Sequence, residues 1–261
     1  MDQTISMVRA WTAGLGPVGS WVGARTPAAA WRFSPPVVAL LTAAVLSFYF
    51  ILLPGADIAV SAGFYGADGR FPLAELPALR LLRKSSSWVL AAMLIATIAA
   101  LVAAARRGGW RGLAGARRAW CVLAGLAFGP GLLVNLTLKG FWGRPRPIQT
   151  DLFGGDAPYV SPWWITDWCA DNCSFVSGEG ASAAWMVAAV AILPEPWRRM
   201  LLMPVATYAV ALSMNRVAFG AHFLSDVMLS WALTAVVMTL LYAVLQRQPA
   251  DKPSGVAVAH G

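Results

Sequence analysis

Six long apolar runs, residues 35–53, 87–105, 119–138, 180–194, 200–215 and 223–245, constrain this chain more than any other feature. A helix needs about 20 apolar residues to cross the hydrocarbon core of a bilayer, so each run reads as one crossing. The runs at 180–194 and 200–215 are short and their ends are less sharply set. Composition agrees: only 12% of residues are charged, against roughly 25% in soluble domains. The 13 Trp also suit a chain that lies across membrane interfaces. The expected fold is all-α, a polytopic membrane bundle of six transmembrane helices over 35–245. A segment 1–34 precedes it, and a tail 246–261 with Pro249 and Pro253 follows as a disordered end.

The formal charge of +8 raises the question of an anionic partner. Six spans place both termini on one side. Segments 1–34, 106–118, 195–199 and 246–261 hold 12 Lys/Arg and 3 Asp/Glu, a net of +9; the rest of the chain holds 8 and 9, a net of −1. Short basic segments stay in the cytoplasm, so both termini are expected there, in an inner membrane. The basic excess then marks topology, and nucleic-acid binding is set aside. Residues 1–34 lack a compact apolar core between Trp11, Trp21, Trp31, Arg25 and Arg32. The first helix is therefore expected to serve as an uncleaved membrane signal.

Two outer loops are long. Residues 54–86 mix Leu73, Leu76, Leu79, Leu81 and Leu82 with Arg80, Arg83 and Lys84, a pattern suited to an interfacial amphipathic helix or to an ordered connector. Residues 139–179 are rich in polar groups. Three polar clusters stand at the outer ends of the apolar runs: Lys139 to Pro147, Cys173 to Gly180, and Asn215 to Asp226. The charge count puts all three on one side of the membrane.

Each cluster has a chemical reading. Lys139, Arg146 and Arg216 offer a point charge and two forked donors for a phosphate dianion, although Lys139 and Arg144 also suit interface anchors. Ser177 and Gly178 open a helix, whose free N–H groups attract an anion and whose glycine lets a ligand approach; Ser177 also suits a plain N-cap. His222 and Asp226, four apart, share a helix face. An Asp accepting the Nδ1–H would leave Nε2 free to attack. An acid inside an apolar span is costly and marks function.

Taken together, Lys139-x6-Arg146-Pro147, Ser177-Gly178 and Arg216-x5-His222-x3-Asp226 resemble the three-part signature of the type-2 phosphatidic acid phosphatase and haloperoxidase superfamily. The resemblance implies a metal-independent phosphatase without a cofactor. His222 would be the nucleophile forming a phosphohistidine and Asp226 its orienting partner, while Lys139, Arg146, Ser177, Gly178 and Arg216 hold the phosphate. No His/Cys/carboxylate cluster in the sequence suggests a metal site. The implied substrates are lipid phosphates or diphosphates: lipid A, undecaprenyl diphosphate, phosphatidylglycerophosphate or phosphatidate. A phosphotransferase shares the chemistry, and a silent lipid-phosphate binder or transporter is the rival of another class. No protein partner is implied, and a peroxidase does not suit so apolar a chain.

One position departs from the signature. Glu179 stands where the family has the His that protonates the leaving group, and His260 lies in the tail. Either Glu179 is the acid, or the leaving group needs little help, or Glu179 only complements the helix dipole or pairs with an Arg. Cys169 and Cys173 fall in the outer loop, where a disulfide is expected to steady the approach to Ser177, the alternative being two free thiols with packing roles. Closing so small a loop is worth roughly 2 kcal/mol. Cys121, inside the third run, is expected to stay reduced.

Overall fold

A computed structural model describes residues 34–245. The tail 246–261, and all of segment 1–34 but Ser34, lie outside the described residues. Among the described residues the α-helices longer than three residues are, in chain order, α1 (Pro35–Leu52), α2 (Pro54–Ala62), α3 (Pro77–Gly115), α4 (Arg117–Leu126), α5 (Gly178–Ala191), α6 (Trp197–Ala218) and α7 (Leu224–Leu245). Pro35, Pro54 and Pro77 each occupy the first helical turn, where the missing N–H costs nothing and the fixed φ favours the start. Among the described residues no strand forms beyond an isolated bridge between Thr150 and Ala157.

Among the described residues, five helices are long and apolar enough to cross a membrane: α1, α3, α4 with its continuation to Phe141, α6 and α7. The sixth expected crossing, α5, has 14 residues, about 21 Å at the usual rise. It need not match the lipid thickness, because α4, α6 and α7 surround it and nine of its residues are buried. Small residues permit this close approach: a Cβ on Gly180 would collide with Ser230 Oγ of α7. Large apolar side chains such as Leu40, Val45, Phe48, Ile95 and Met203 on the outer helices are exposed, as a lipid-facing surface requires.

Two expectations for the loops change. The Leu/Arg stretch near 73–86 is not a separate interfacial helix; after a 3-10 turn at Pro72–Glu75 it forms the first turns of α3 and runs unbroken into the crossing. Nothing after Pro77 interrupts the helical hydrogen bonding until Gly109, whose φ of 56° breaks it. In the third crossing, α4 widens into a π-helix over Ala127–Leu138 around Pro130, before a last α-turn at Lys139–Phe141. Asn135 Nδ2 donates to the carbonyl of Pro130 at 2.7 Å, occupying an acceptor near the ring that breaks the regular ladder.

Candidate active site

Four helix ends converge: the end of the third crossing at Lys139–Phe141, the C-terminal turn of α6 and the N-terminal turns of α5 and α7. The long segment 142–177 closes over them, wedged in place by Phe175 and Val176, which pack with Val134, Leu138 and Leu229 beside Trp142 and Trp163. A cavity of about 290 Å³ opens there and draws on Lys139, Arg146, Gly178, Glu179, Arg216 and His222, all six singled out from the sequence. Ser177 lies just behind it, fully buried, its Oγ accepting the Gly180 N–H at 3.1 Å as the N-cap of α5.

His222 is 1% exposed and sits in the turn between α6 and α7, two residues before the helix begins. That turn changes its partner. Asp226 Oδ2 is 3.9 Å from Nδ1, beyond hydrogen bonding, and the direct bond expected from the i, i+4 spacing is not made. The backbone carbonyl of Ser174 takes the Nδ1–H at 2.8 Å instead. Nε2 is buried and left without a partner among the described residues, and His222 is one of the residues lining the cavity. Burial, and then Arg216, Lys139 and Arg146, push the pKa of His222 well below its ordinary value, so the imidazole is neutral.

Asp226 acts one step further back. Its Oδ2 accepts the Ser174 hydroxyl at 2.5 Å and the Phe223 N–H at 2.9 Å, fixing both the segment that carries the Ser174 carbonyl and the start of α7. Its Oδ1 meets Arg144 Nη1 at 2.5 Å. Arg144 is fully buried; Nη2 reaches Asp57 Oδ2 of α2 at 3.0 Å and Nε donates to the Val160 carbonyl at 2.7 Å. Asp57 also accepts the Ser225 N–H at 2.7 Å. A buried charge is tolerated only when paired and hydrogen-bonded, and here every member is.

The cationic face has its own supports. The Asn172 carbonyl accepts from Arg146 Nε at 3.1 Å and Nη2 at 2.7 Å, while Asn172 Oδ1 accepts from Lys139 Nζ at 3.3 Å. Asn172 holds φ at 50°, a left-handed conformation that Asn tolerates better than most residues. It lies in the small loop closed by the Cys169–Cys173 disulfide, so the bridge steadies the residue that aims two phosphate candidates. Cys121 is free and buried. Glu179 is shared by two arginines: Oε1 is 3.1 Å from Arg83 Nε and Oε2 is 2.5 Å from Arg216 Nε. The second contact is an ion pair without hydrogen-bond alignment, and Arg216 Nη1 has no partner among the described residues. A Cβ on Gly178 would lie 2.8 Å from Asn135 Oδ1 and crowd the cavity.

Residues 118–250, half of the sequence, match the PAP2 superfamily, and a lipid A 4′-phosphatase of Rhizobium leguminosarum is 36% identical over 79% of this chain and 94% of its own. The chain belongs to the PAP2 superfamily. Two other relatives, lipid A 4′-phosphatases of Rhizobium etli and of Francisella tularensis subsp. novicida, are 44% and 34% identical over 54% and 47% of the chain. Those matches span 55% and 56% of the relatives, about half their length. The crystal structure of a transmembrane PAP2-type phosphatidylglycerolphosphate phosphatase from Bacillus subtilis shares the fold, with a TM-score of 0.54 and 21% identity over 84% of this chain and 99% of that one.

Several residues of this PAP2 site lie outside the motif reading: Arg83, Asn135, Asn172, Ser174, and the Asp57–Arg144 pair. Arg144 carried a signal, since it stands between Lys139 and Arg146, but nothing marked it as buried. Asp57 and Arg144 are 87 positions apart and meet only through the fold.

Proposed function

We propose that this membrane lipid phosphatase of the PAP2 superfamily removes the 4′-phosphate of lipid A by way of a phosphohistidine at His222. The observation that carries the mechanism is the unpartnered, buried Nε2 of His222 on a cavity that also draws on Lys139, Arg146 and Arg216. The three cations and the N-terminal turn of α5 bind the phosphate dianion. The neutral Nε2 attacks phosphorus; the N–P bond forms as the bond to the sugar oxygen breaks, and that oxygen leaves as a hydroxyl with a proton taken from solvent water. The negative charge on the equatorial oxygens stays against Lys139, Arg146 and Arg216 throughout. Water then attacks the phosphohistidine, breaking the N–P bond and releasing inorganic phosphate.

The Nδ1–H to Ser174 carbonyl bond sets the tautomer that this step requires. Asp226 is a positioning residue that holds Ser174 and the turn bearing His222. Glu179 is the sole carboxyl among the described residues lining the cavity, yet both its oxygens are held by guanidiniums. That geometry favours a positioning role, fixing Arg216 against the phosphate. The charge count supports an inner-membrane chain with both termini cytoplasmic and the cavity on the periplasmic face.

The test is phosphate release by the purified protein in detergent. The panel is lipid A, phosphatidate, phosphatidylglycerophosphate and undecaprenyl diphosphate, with lipid products read by mass spectrometry. Lipid A should lose its 4′-phosphate faster than any other lipid is turned over. Release confined to another lipid would overturn the substrate assignment, and release from none would overturn the activity.

A further inference from the structure

A second cavity of about 550 Å³ opens between α3, α4 and the turn that follows α5. Since α5 begins at the active site and Ile192 to Pro194 end it, this cavity lies at the opposite end of the bundle. Its wall is mostly apolar, with Ala100, Ala104, Val122 and Leu193 contributing. Three cations, Arg107, Arg117 and Arg118, line the same space.

The cavity is built into the backbone. Gly109 takes φ 56°, breaking α3, and the chain turns back so tightly that a Cβ on Gly112 would collide with the Ala104 carbonyl. That turn brings Arg107, before the break, and Arg117, after it, to one space. Among the described residues, none of the three arginine side chains has an ion-pair or hydrogen-bond partner. Residues 106–118 contain no acid, and Glu195, close by in sequence to Leu193, is committed to Arg198 and Arg199.

We propose that this cavity binds one anionic phospholipid of the bilayer. Its phosphate lies between Arg107, Arg117 and Arg118, and the upper acyl chain lies on the alanine wall. A soluble anion would satisfy the arginines and leave the apolar wall wet. A zwitterionic lipid would cover the wall but bring its own cation against three guanidiniums. An anionic lipid satisfies both surfaces, and basic pockets between membrane helices suit such headgroups. The charge count places this end at the cytoplasmic leaflet, where anionic lipids supply a ligand at high local concentration. The proposal stands apart from the phosphatase chemistry and shares no residue with its cavity.

The test is native mass spectrometry of the full chain released from detergent, with dioleoyl phosphatidylglycerol and dioleoyl phosphatidylcholine at equal concentration. One phosphatidylglycerol should stay bound in preference. At the usual worth of a juxtamembrane cation, Arg107→Gln alone should weaken retention about fivefold and the Arg107→Gln, Arg117→Gln, Arg118→Gln triple variant about a hundredfold. Lys139→Ala, in the other cavity, should leave it unchanged. Absence of any preference in the parent chain would overturn the proposal, whatever the variants do. So would a preference that survives the triple change, or one lost with Lys139→Ala, which would put the lipid in the active cavity. Displacement by millimolar glycerol phosphate would reduce the site to one for any phosphate and overturn the role of the acyl chain.

Discussion

Replacing Glu179 by Gln separates two roles with different kinetics. The carboxylate spans Arg83 at 3.1 Å and Arg216 at 2.5 Å. These contacts are unequal in worth, because the Arg83 side chain is 54% exposed and that of Arg216 only 4%. Exposed pairs contribute little, so the Arg216 contact dominates. An ion pair with one buried partner lies between exposed pairs, worth up to about 1 kcal/mol, and fully buried ones, worth about 3–5 kcal/mol; roughly 1–3 kcal/mol converts to about 5- to 150-fold in kcat/KM if Arg216 loses its aim. A positioning role predicts that loss equally on a lipid monophosphate and a lipid diphosphate, since both present a phosphate to the same guanidinium. A proton donor predicts about 10²–10⁴ on the monophosphate and much less on the diphosphate, whose leaving phosphate is stable as an anion. It also predicts rescue by Glu179→His, which restores the residue expected from the family signature. The structure leads to the first outcome: comparable losses on both substrates and no rescue by His. A monophosphate loss exceeding the diphosphate loss by two orders of magnitude, with rescue by His, would refute it.

His222→Ala should abolish phosphate release on every substrate while size-exclusion behaviour and helical circular dichroism stay unchanged; residual turnover would sink the phosphohistidine. The pKa of His222 is held below its ordinary value by burial and by Arg216, Lys139 and Arg146, and in the proposed mechanism the neutral imidazole is the reactive form. Activity should therefore stay level as pH falls through the ordinary histidine range and decline only in more acidic buffer. An acid limb in kcat/KM centred at or above the ordinary histidine value of 6.5 would contradict the buried, neutral ring. The unfolded chain takes up that proton first, so stability should also fall toward acid. Arg144→Leu strands Asp57 and Asp226 without their cation and should cost about 3–5 kcal/mol, read as a large drop in Tm in detergent; a shift of a degree or two would show the network to be dispensable. Reducing the Cys169–Cys173 bridge should lower stability by about 2 kcal/mol and raise KM several-fold by loosening Asn172, and an unchanged KM would detach the bridge from the site.

Much of the site was legible because a membrane chain leaves few reasons for polar residues at the ends of apolar runs. Lys139, Arg146, Gly178, Glu179, Arg216 and His222 stood out on that ground, and the fold gathers them around one cavity. What the spacing of His222 and Asp226 could not convey is where α7 begins. Starting at Leu224, it leaves His222 in a turn, and the ring bonds to a carbonyl 48 positions away. Pairing over such distance is set by packing and has no local pattern; the Asp57–Arg144 contact is the same case. The continuity of α3 was hidden because a Leu/Arg mixture at the end of a crossing has the composition of an interfacial helix. The π-helical widening of α4 had one visible cause, Pro130, but its extent over 12 residues depends on neighbouring helices.

The two layers of charge answer different physical demands. The layer on the cavity, Lys139, Arg146 and Arg216, is an excess of cation with Glu179 as its one carboxylate, so a phosphate dianion is the natural complement. The layer beneath, Asp57, Arg144 and Asp226, is closed: each carboxylate bonds to Arg144 and to backbone N–H groups, and no side chain there is exposed. An ordinary apolar filling could seal the helix ends as well, and a buried ion pair is a weak source of net stability. What apolar contacts cannot do is fix the direction of Ser174, whose hydroxyl donates to Asp226 and whose carbonyl selects the tautomer of His222. The inner layer therefore converts the placement of α2 and α7 into the orientation of one imidazole. In the proposed mechanism, an imidazole already held in its attacking orientation spares the cost of orienting it when substrate binds. A carbonyl fixed by an aspartate does at one remove what a direct aspartate–histidine bond does, and it leaves Asp226 free to hold the start of α7 as well.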